Sequence, residues 1–180
     1  IYGVCENGDT LAVLAGADPL FFAGTDDEQS VQASGDDGHA IYLYDETGHL
    51  TGSIPLAERC ADAPYALDSD GTDYFILFSD AAVRVGSDGT QLAKSGDMGG
   101  RLLQLACADG AVYVCVEGDR IYQTEKVVRL NAQTLEPEAE LSCAGLDVQG
   151  MGTAADGTLL LISGDYLLRP DFAAGTMTAI

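Results

Sequence analysis

LLQLACADGAVYVCVEGDRIYQTEKVVRLNAQTLEPEAEL, residues 102–141, decides the fold. It divides into short extended segments. Leu102 to Cys107 is an apolar strand that meets a turn at Ala108-Asp109-Gly110-Ala111. Val112 to Glu117 is a second strand and ends in Gly118-Asp119. Val127 to Leu130 is a third, and it runs through a turn, Asn131 to Leu135, into a fourth, Glu136 to Leu141. Asp-Gly between apolar runs is a strong hairpin signal, because a type I′ turn needs positive φ at both central residues. The stretch predicts one four-stranded antiparallel unit.

Working outward, the same unit recurs. The Gly-bearing turn appears at Glu6-Asn7-Gly8-Asp9, Ser69-Asp70-Gly71-Thr72 and Ala155-Asp156-Gly157-Thr158 as well. Each is followed by an apolar run: Leu11 to Leu14, Tyr74 to Phe78 and Leu159 to Ile162. Continuous rather than alternating apolar residues mark strands buried on both faces. A second hairpin then starts at Ile41, Ala82, Val127 and Tyr166, and its last strand is more polar. Arg84, Arg129 and Arg169 hold matching places on the third strands and are expected to be solvated or cross-strand partners. Helical periodicity is nearly missing. Four-stranded units of roughly 40 residues are the pattern of propeller blades. We expect an all-β, β-propeller-like array of about four four-stranded antiparallel blades, forming one domain over 1–180. The blades fall near 1–57, 62–98, 101–142 and 146–180. They make either a whole small ring or part of a larger one.

Size and charge bound the function. The chain has 180 residues, 47% of them apolar, enough to bury a real core. No apolar run approaches the ~20 residues that span a bilayer. There are 29 acidic against 8 basic residues, a net charge of −21. Such a surface repels phosphate backbones and anionic lipid, which argues against nucleic-acid binding and membrane insertion. It would attract cations or a basic partner. The five cysteines, Cys5, Cys60, Cys107, Cys115 and Cys143, include no C-x-x-C pair. Cys107 and Cys115 lie in apolar strands and read as small buried hydrophobes. Cys60 and Cys143 fall in links between units, where a bridge is conceivable. A thiol-rich chain is less typical of an oxidising exterior. The sequence starts at Ile1 with no leader pattern, so it reads as a mature or excised fragment.

Ile41-Tyr42-Leu43-Tyr44-Asp45-Glu46-Thr47-Gly48-His49-Leu50 resembles the strand–turn–strand of quinoprotein-like, PQQ-type β-propeller repeats. Val128 to Leu135 is a degraded copy. Ala66 to Thr72 is similar to the inner strands of that class and of NHL-type propellers. The usual Trp after the turn is missing throughout, because the chain has no Trp. No quinone ligand or catalytic group carries over. The resemblance implies a non-catalytic protein outside the cytoplasm: a bacterial, secreted or lipoprotein-type cell-envelope module. Its partner would be a protein, peptide or glycan. A homodimer or a further domain of the same chain would complete the ring.

Candidate sites follow from what distinguishes the units. The segment Ala15 to Gly38 is an insertion in the first unit, and its acids Asp26, Asp27, Glu28, Asp36 and Asp37 are candidate ligand-binding residues. The loop Glu117 to Lys126 is the other, with Asp119, Arg120 and Tyr122. Asp68, Asp70 and Asp73 have the carboxylate spacing of a calcium turn without the length or terminal Glu of an EF-hand loop. Their competing role is to cap the hairpin backbone. Calcium is the one cofactor considered; otherwise none is expected. His39 and His49 have no Cys or His at ligand spacing. No G-x-S-x-G nucleophile elbow or phosphate-cradling loop occurs. The expected function is non-catalytic binding. The alternatives are a carbohydrate hydrolase using loop carboxylates and a structural domain that completes a larger propeller.

Overall fold

The computed structural model describes residues 1–16, 38–56, 63–121 and 123–180. It contains four antiparallel sheets, each a meander of four strands. β1 (Gly3–Asn7), β2 (Thr10–Gly16), β3 (His39–Tyr44) and β4 (Leu50–Pro55) form the first. β5 (Ala66–Ser69), β6 (Tyr74–Leu77), β7 (Ala82–Val85) and β8 (Gln91–Lys94) form the second. β9 (Leu102–Ala108), β10 (Ala111–Glu117), β11 (Thr124–Asn131) and β12 (Pro137–Ser142) form the third. β13 (Val148–Thr153), β14 (Leu159–Ser163), β15 (Tyr166–Asp171) and β16 (Thr176–Ala179) form the fourth. Their inner strands pack in sequence, β1 on β5, β5 on β9 and β9 on β13. The sheets stack as blades of an open arc rather than a closed ring, so the small-ring alternative does not hold.

Three slabs of the core lie between blades, and a fourth small cluster, Ala15, Ala40 and Tyr42 with Tyr44, lies on the other face of the first blade. Cys5, Leu14 and Ile41 of the first blade meet Tyr74, Ile76 and Val83 of the second. Phe75 and Leu77 on the other side of the second meet Val112, Val114 and Leu130 of the third. Tyr113, Cys115 and Val127 meet Leu159, Leu161 and Leu168 of the fourth. Side chains alternate across a strand, so a strand sandwiched between two blades must be apolar at every position. β6 and β10 satisfy this, and all of Tyr74–Leu77 and Ala111–Val116 is buried.

The turns differ in detail from the expected type. Ala108 pairs with Ala111, and both Asp109 (φ 50°) and Gly110 (φ 68°) are left-handed, as type I′ demands. The first-blade turn is shifted by one residue: Asn7 pairs with Thr10, and of the two central residues only Gly8 has positive φ. That is the φ pattern of type II′. The turns at Gly71 and Gly157 are longer. Asp70 Oδ1 caps the Thr72 and Asp73 amides, and Asp156 Oδ1 caps Thr158. An Asp that bonds its own backbone favours these wider turns over the two-residue form.

The arginines are not uniformly solvated. Arg84 is largely buried and donates from Nε to Asp73 Oδ2 at 2.7 Å and from Nη1 to Gln133 O of the next blade at 3.0 Å. Arg129 pairs across strands with Glu138 at 3.5 Å, and Arg169 is exposed. Two tyrosines fill space between blades. The Tyr74 hydroxyl accepts from Asn7 Nδ2 at 2.9 Å, and Tyr113 packs on Phe172 with ring centroids 5.4 Å apart. Tyr166 is 65% exposed on the fourth blade.

Candidate functional site

Connections between second and third strands, and those between blades, share one end of the arc. In the third blade this end carries the loop Glu117 to Lys126. A register shift at Val116/Glu117 turns the chain out of the sheet. The loop is cinched by Gly118 N–H to Gln123 O at 3.0 Å and Gln123 N–H to Arg120 O at 3.0 Å. Gly118 is required by close approach, since a Cβ there would lie 2.8 Å from the Glu125 Cβ. The link after β12 is tied down by Cys143 N–H to Glu125 O at 2.7 Å and reverses at Gly145 (φ 84°).

Between loop and link lies an open hollow of about 380 Å³. Asp119, Arg120, Gln123 and Glu125 stand around it, and buried Thr124 and Cys143 lie beneath. Ile121, in the same loop, is 80% exposed. The lining carries two carboxylates against one guanidinium, so it favours a cationic guest. The sequence-predicted Asp119 and Arg120 come together here. Gln123, Glu125 and Cys143 to Gly145 were missed, because a hollow made by a loop and a later link has no local signature. Tyr122 and the acids Asp26, Asp27, Glu28, Asp36 and Asp37 lie outside the described residues, as does Cys60 of the considered Cys60–Cys143 bridge.

Asp68, Asp70 and Asp73 do not converge on one point. Asp68 accepts from Ser69 N–H at 2.8 Å and from Cys107 N–H of the third blade at 2.7 Å. Asp70 caps its turn and Asp73 holds Arg84. Among the described residues no group of three or more His, Cys, Asp or Glu could hold a metal ion. Burial pushes the Asp68 carboxyl above the usual range, with the two amide donors opposing it. Its Oδ2 staples the second blade to the third, while Oδ1 bonds the next amide of its own strand. His39 stacks edge-on against Tyr2, and His49 Nδ1 lies 2.6 Å from Thr47 Oγ1.

Four thiols, Cys5, Cys107, Cys115 and Cys143, are free. Burial pushes Cys5 and Cys115 up to about 12 and Cys143 to about 11; Cys107 is raised too, by burial and then by Asp68. The thiolate is the reactive form. In a Cys60→Ser variant at pH 8, the native protein should react with Ellman's reagent at least about 100-fold more slowly than in urea, where all four thiols titrate promptly. Prompt native labelling of two or more would contradict the placement of these strands.

No protein-family model and no curated protein matches the sequence. Solved structures do match in fold. A chain of a mitotic checkpoint complex aligns with TM-score 0.65 at 11% identity, over 99% of this chain and 48% of that one. Kuenenia stuttgartiensis hydrazine synthase aligns with TM-score 0.62 at 17% identity, over 99% and 49%. YCF48 bound to D1 peptide aligns with TM-score 0.57 at 13% identity, over 98% and 52%. The chain thus spans about half the length of these neighbours. At such identities they show the fold, a β-propeller arrangement, and nothing finer.

Proposed function

We propose that this chain is a non-catalytic recognition module whose loop end captures a protein or peptide segment bearing a Lys or Arg side chain. The hollow between the Glu117 to Lys126 loop and the Cys143 to Gly145 link carries the reading. It is lined by the carboxylates of Asp119 and Glu125, and Ile121 of the same loop is exposed, which suits a cation on an aliphatic stem. The net charge of −21 would draw a basic partner from a distance. Two of the fold neighbours are described in complexes, YCF48 with D1 peptide and the checkpoint assembly, so the fold is compatible with this use. We assign the chain to the quinoprotein-like branch on the Asp45-Glu46-Thr47-Gly48 turn, where Asp45 Oδ1 caps Thr47 and His49, with the NHL-type likeness resting on Ala66 to Thr72. With that branch goes a place outside the cytoplasm, in a bacterial envelope or secreted. The buried thiols are compatible with an oxidising compartment.

Fluorescent decapeptides with a central Lys or Arg between apolar residues test the site by anisotropy. Saturable binding is expected, weakened at least about tenfold by D119K/E125K and by I121A, and reduced by salt. No binding by any such peptide, or binding indifferent to these substitutions, would overturn the proposal.

A further inference from the structure

Several contacts between blades come from the turn between third and fourth strands, which docks on the blade before it. Gln133 O takes the Arg84 guanidinium, Phe172 packs on Tyr113, and a Cβ on Gly89 would collide with Pro55 O. One link is made from an inner turn instead. Asn7 ends β1 and donates from Nδ2 to the Tyr74 hydroxyl of the second blade at 2.9 Å, across 67 positions.

The residue after Asn7 is Gly8. Asparagine is a chemically labile side chain, and most so before glycine. The main-chain nitrogen of the next residue attacks the side-chain carbonyl carbon, and glycine has no Cβ to crowd that approach. The chain has two asparagines. The other, Asn131, precedes Ala132 and is held at both ends of its amide. Its Oδ1 accepts from the Gln133 and Thr134 amides at 2.9 and 3.1 Å, and its Nδ2 donates to Glu138 at 2.9 Å. Asn7 is the one followed by glycine, at the start of a two-residue turn in which Gly8 has φ 61°.

Two things hold Asn7. It pairs with Thr10 across the hairpin, and its amide is tied to Tyr74. Tyr74 is itself fixed, buried in the slab between first and second blades and in register with Ser69 and Val85. A hairpin end opens at little cost, which leaves the Tyr74 bond as the restraint on the group that must turn toward the Gly8 nitrogen.

We propose that Asn7 is a deamidation site and that the Tyr74 hydroxyl sets its rate, so that the junction of first and second blades is open to chemical ageing. Base removes the Gly8 amide proton, and the nitrogen lone pair forms a bond to Asn7 Cγ. The Cγ–Nδ2 bond breaks and ammonia leaves, which closes a succinimide ring. Water opens the ring at the side-chain carbonyl to give aspartate, or at the main-chain carbonyl to give isoaspartate. The sum is asparagine and water to acid and ammonia, with no oxidant or reductant. Aspartate still accepts from the Tyr74 hydroxyl. Isoaspartate adds a methylene to the main chain beside a two-residue turn, where the pairing with Thr10 no longer fits. The chemistry involves the first and second blades and not the loop hollow of the third, so it stands or falls apart from the binding role.

The test follows Asn7 by peptide mass spectrometry during incubation at mildly alkaline pH, in a Cys60→Ser background. Amide should turn to acid in the native protein at least about tenfold more slowly than in urea. Y74F keeps the ring and removes the acceptor, and should convert about fivefold faster than its parent. Asn131 should stay an amide in both. Ellman's reagent separates a local effect from unfolding, because the buried thiols should label as slowly in Y74F as in the parent. Native conversion as fast as in urea, Y74F no faster than its parent, or Asn131 converting before Asn7 would overturn the proposal. So would Asn7 left intact in Y74F after about ten half-lives of the urea-unfolded chain, or an acceleration in Y74F that comes with prompt thiol labelling.

Discussion

Phe75→Ala should destabilise the protein by about 3–5 kcal/mol, read from urea unfolding. Phe75 is fully buried in the slab between second and third blades, in register with Asp68 on one side and Arg84 on the other. Truncation removes apolar contact and leaves a cavity that flanking strands cannot close, because Leu77, Val112 and Val114 are themselves fixed in the ladders. Whole-domain stabilities are about 5–15 kcal/mol, so this is a large share. The melting temperature should fall by roughly 6–20 °C. Leu92→Ala, at a position 48% exposed, should stay within about 0.5 kcal/mol. A loss below about 1 kcal/mol for Phe75→Ala would mean that the second and third blades do not pack as described.

The second large effect is Asp73→Ala. It strands the Arg84 guanidinium between blades, where its side chain is 14% exposed and that of Asp73 is 10%. Removing one partner of a buried ion pair costs about 3–5 kcal/mol, mostly through the charge left behind. D73A/R84M should therefore recover part of the loss. It will not recover all of it, because Arg84 also donates to Gln133 O and that bond joins two blades. A double-mutant cycle settles the point: purely additive losses would show that the two side chains do not act as a pair.

These two residues mark the boundary of what could be read from sequence. Phe75 was legible. It sits in an unbroken apolar run after an Asp-Gly turn, and that pattern demands burial on both faces. The repeat of this pattern gave four sheets in the right order. Arg84 was legible as a recurring position but not as a buried one. Its acceptor Gln133 lies 49 positions away, and nothing periodic links them. The same holds for the Asp68 carboxylate and the Cys107 amide, 39 positions apart. Contacts within a blade are local and leave a trace in spacing; contacts between blades depend on how sheets stack. The candidate site divides the same way. Asp119 and Arg120 stood out because their loop is longer than the matching connections of the second and fourth units. The Cys143 to Gly145 link did not, because its role comes only from what it faces.

The docking of each turn on the preceding blade also gives the chain a direction in time. The sheets are hairpin meanders, so nearly every pairing within one is between neighbours in sequence, the kind of contact that closes quickly. A blade leaving the ribosome finds its seat already built, since the surface its turn needs was synthesised before it. Arg84 and Asp73 are in place before Gln133 arrives, and Tyr113 before Phe172. Substitutions in the second blade should therefore stall everything downstream of them, whereas those in the fourth should leave the earlier blades ordered.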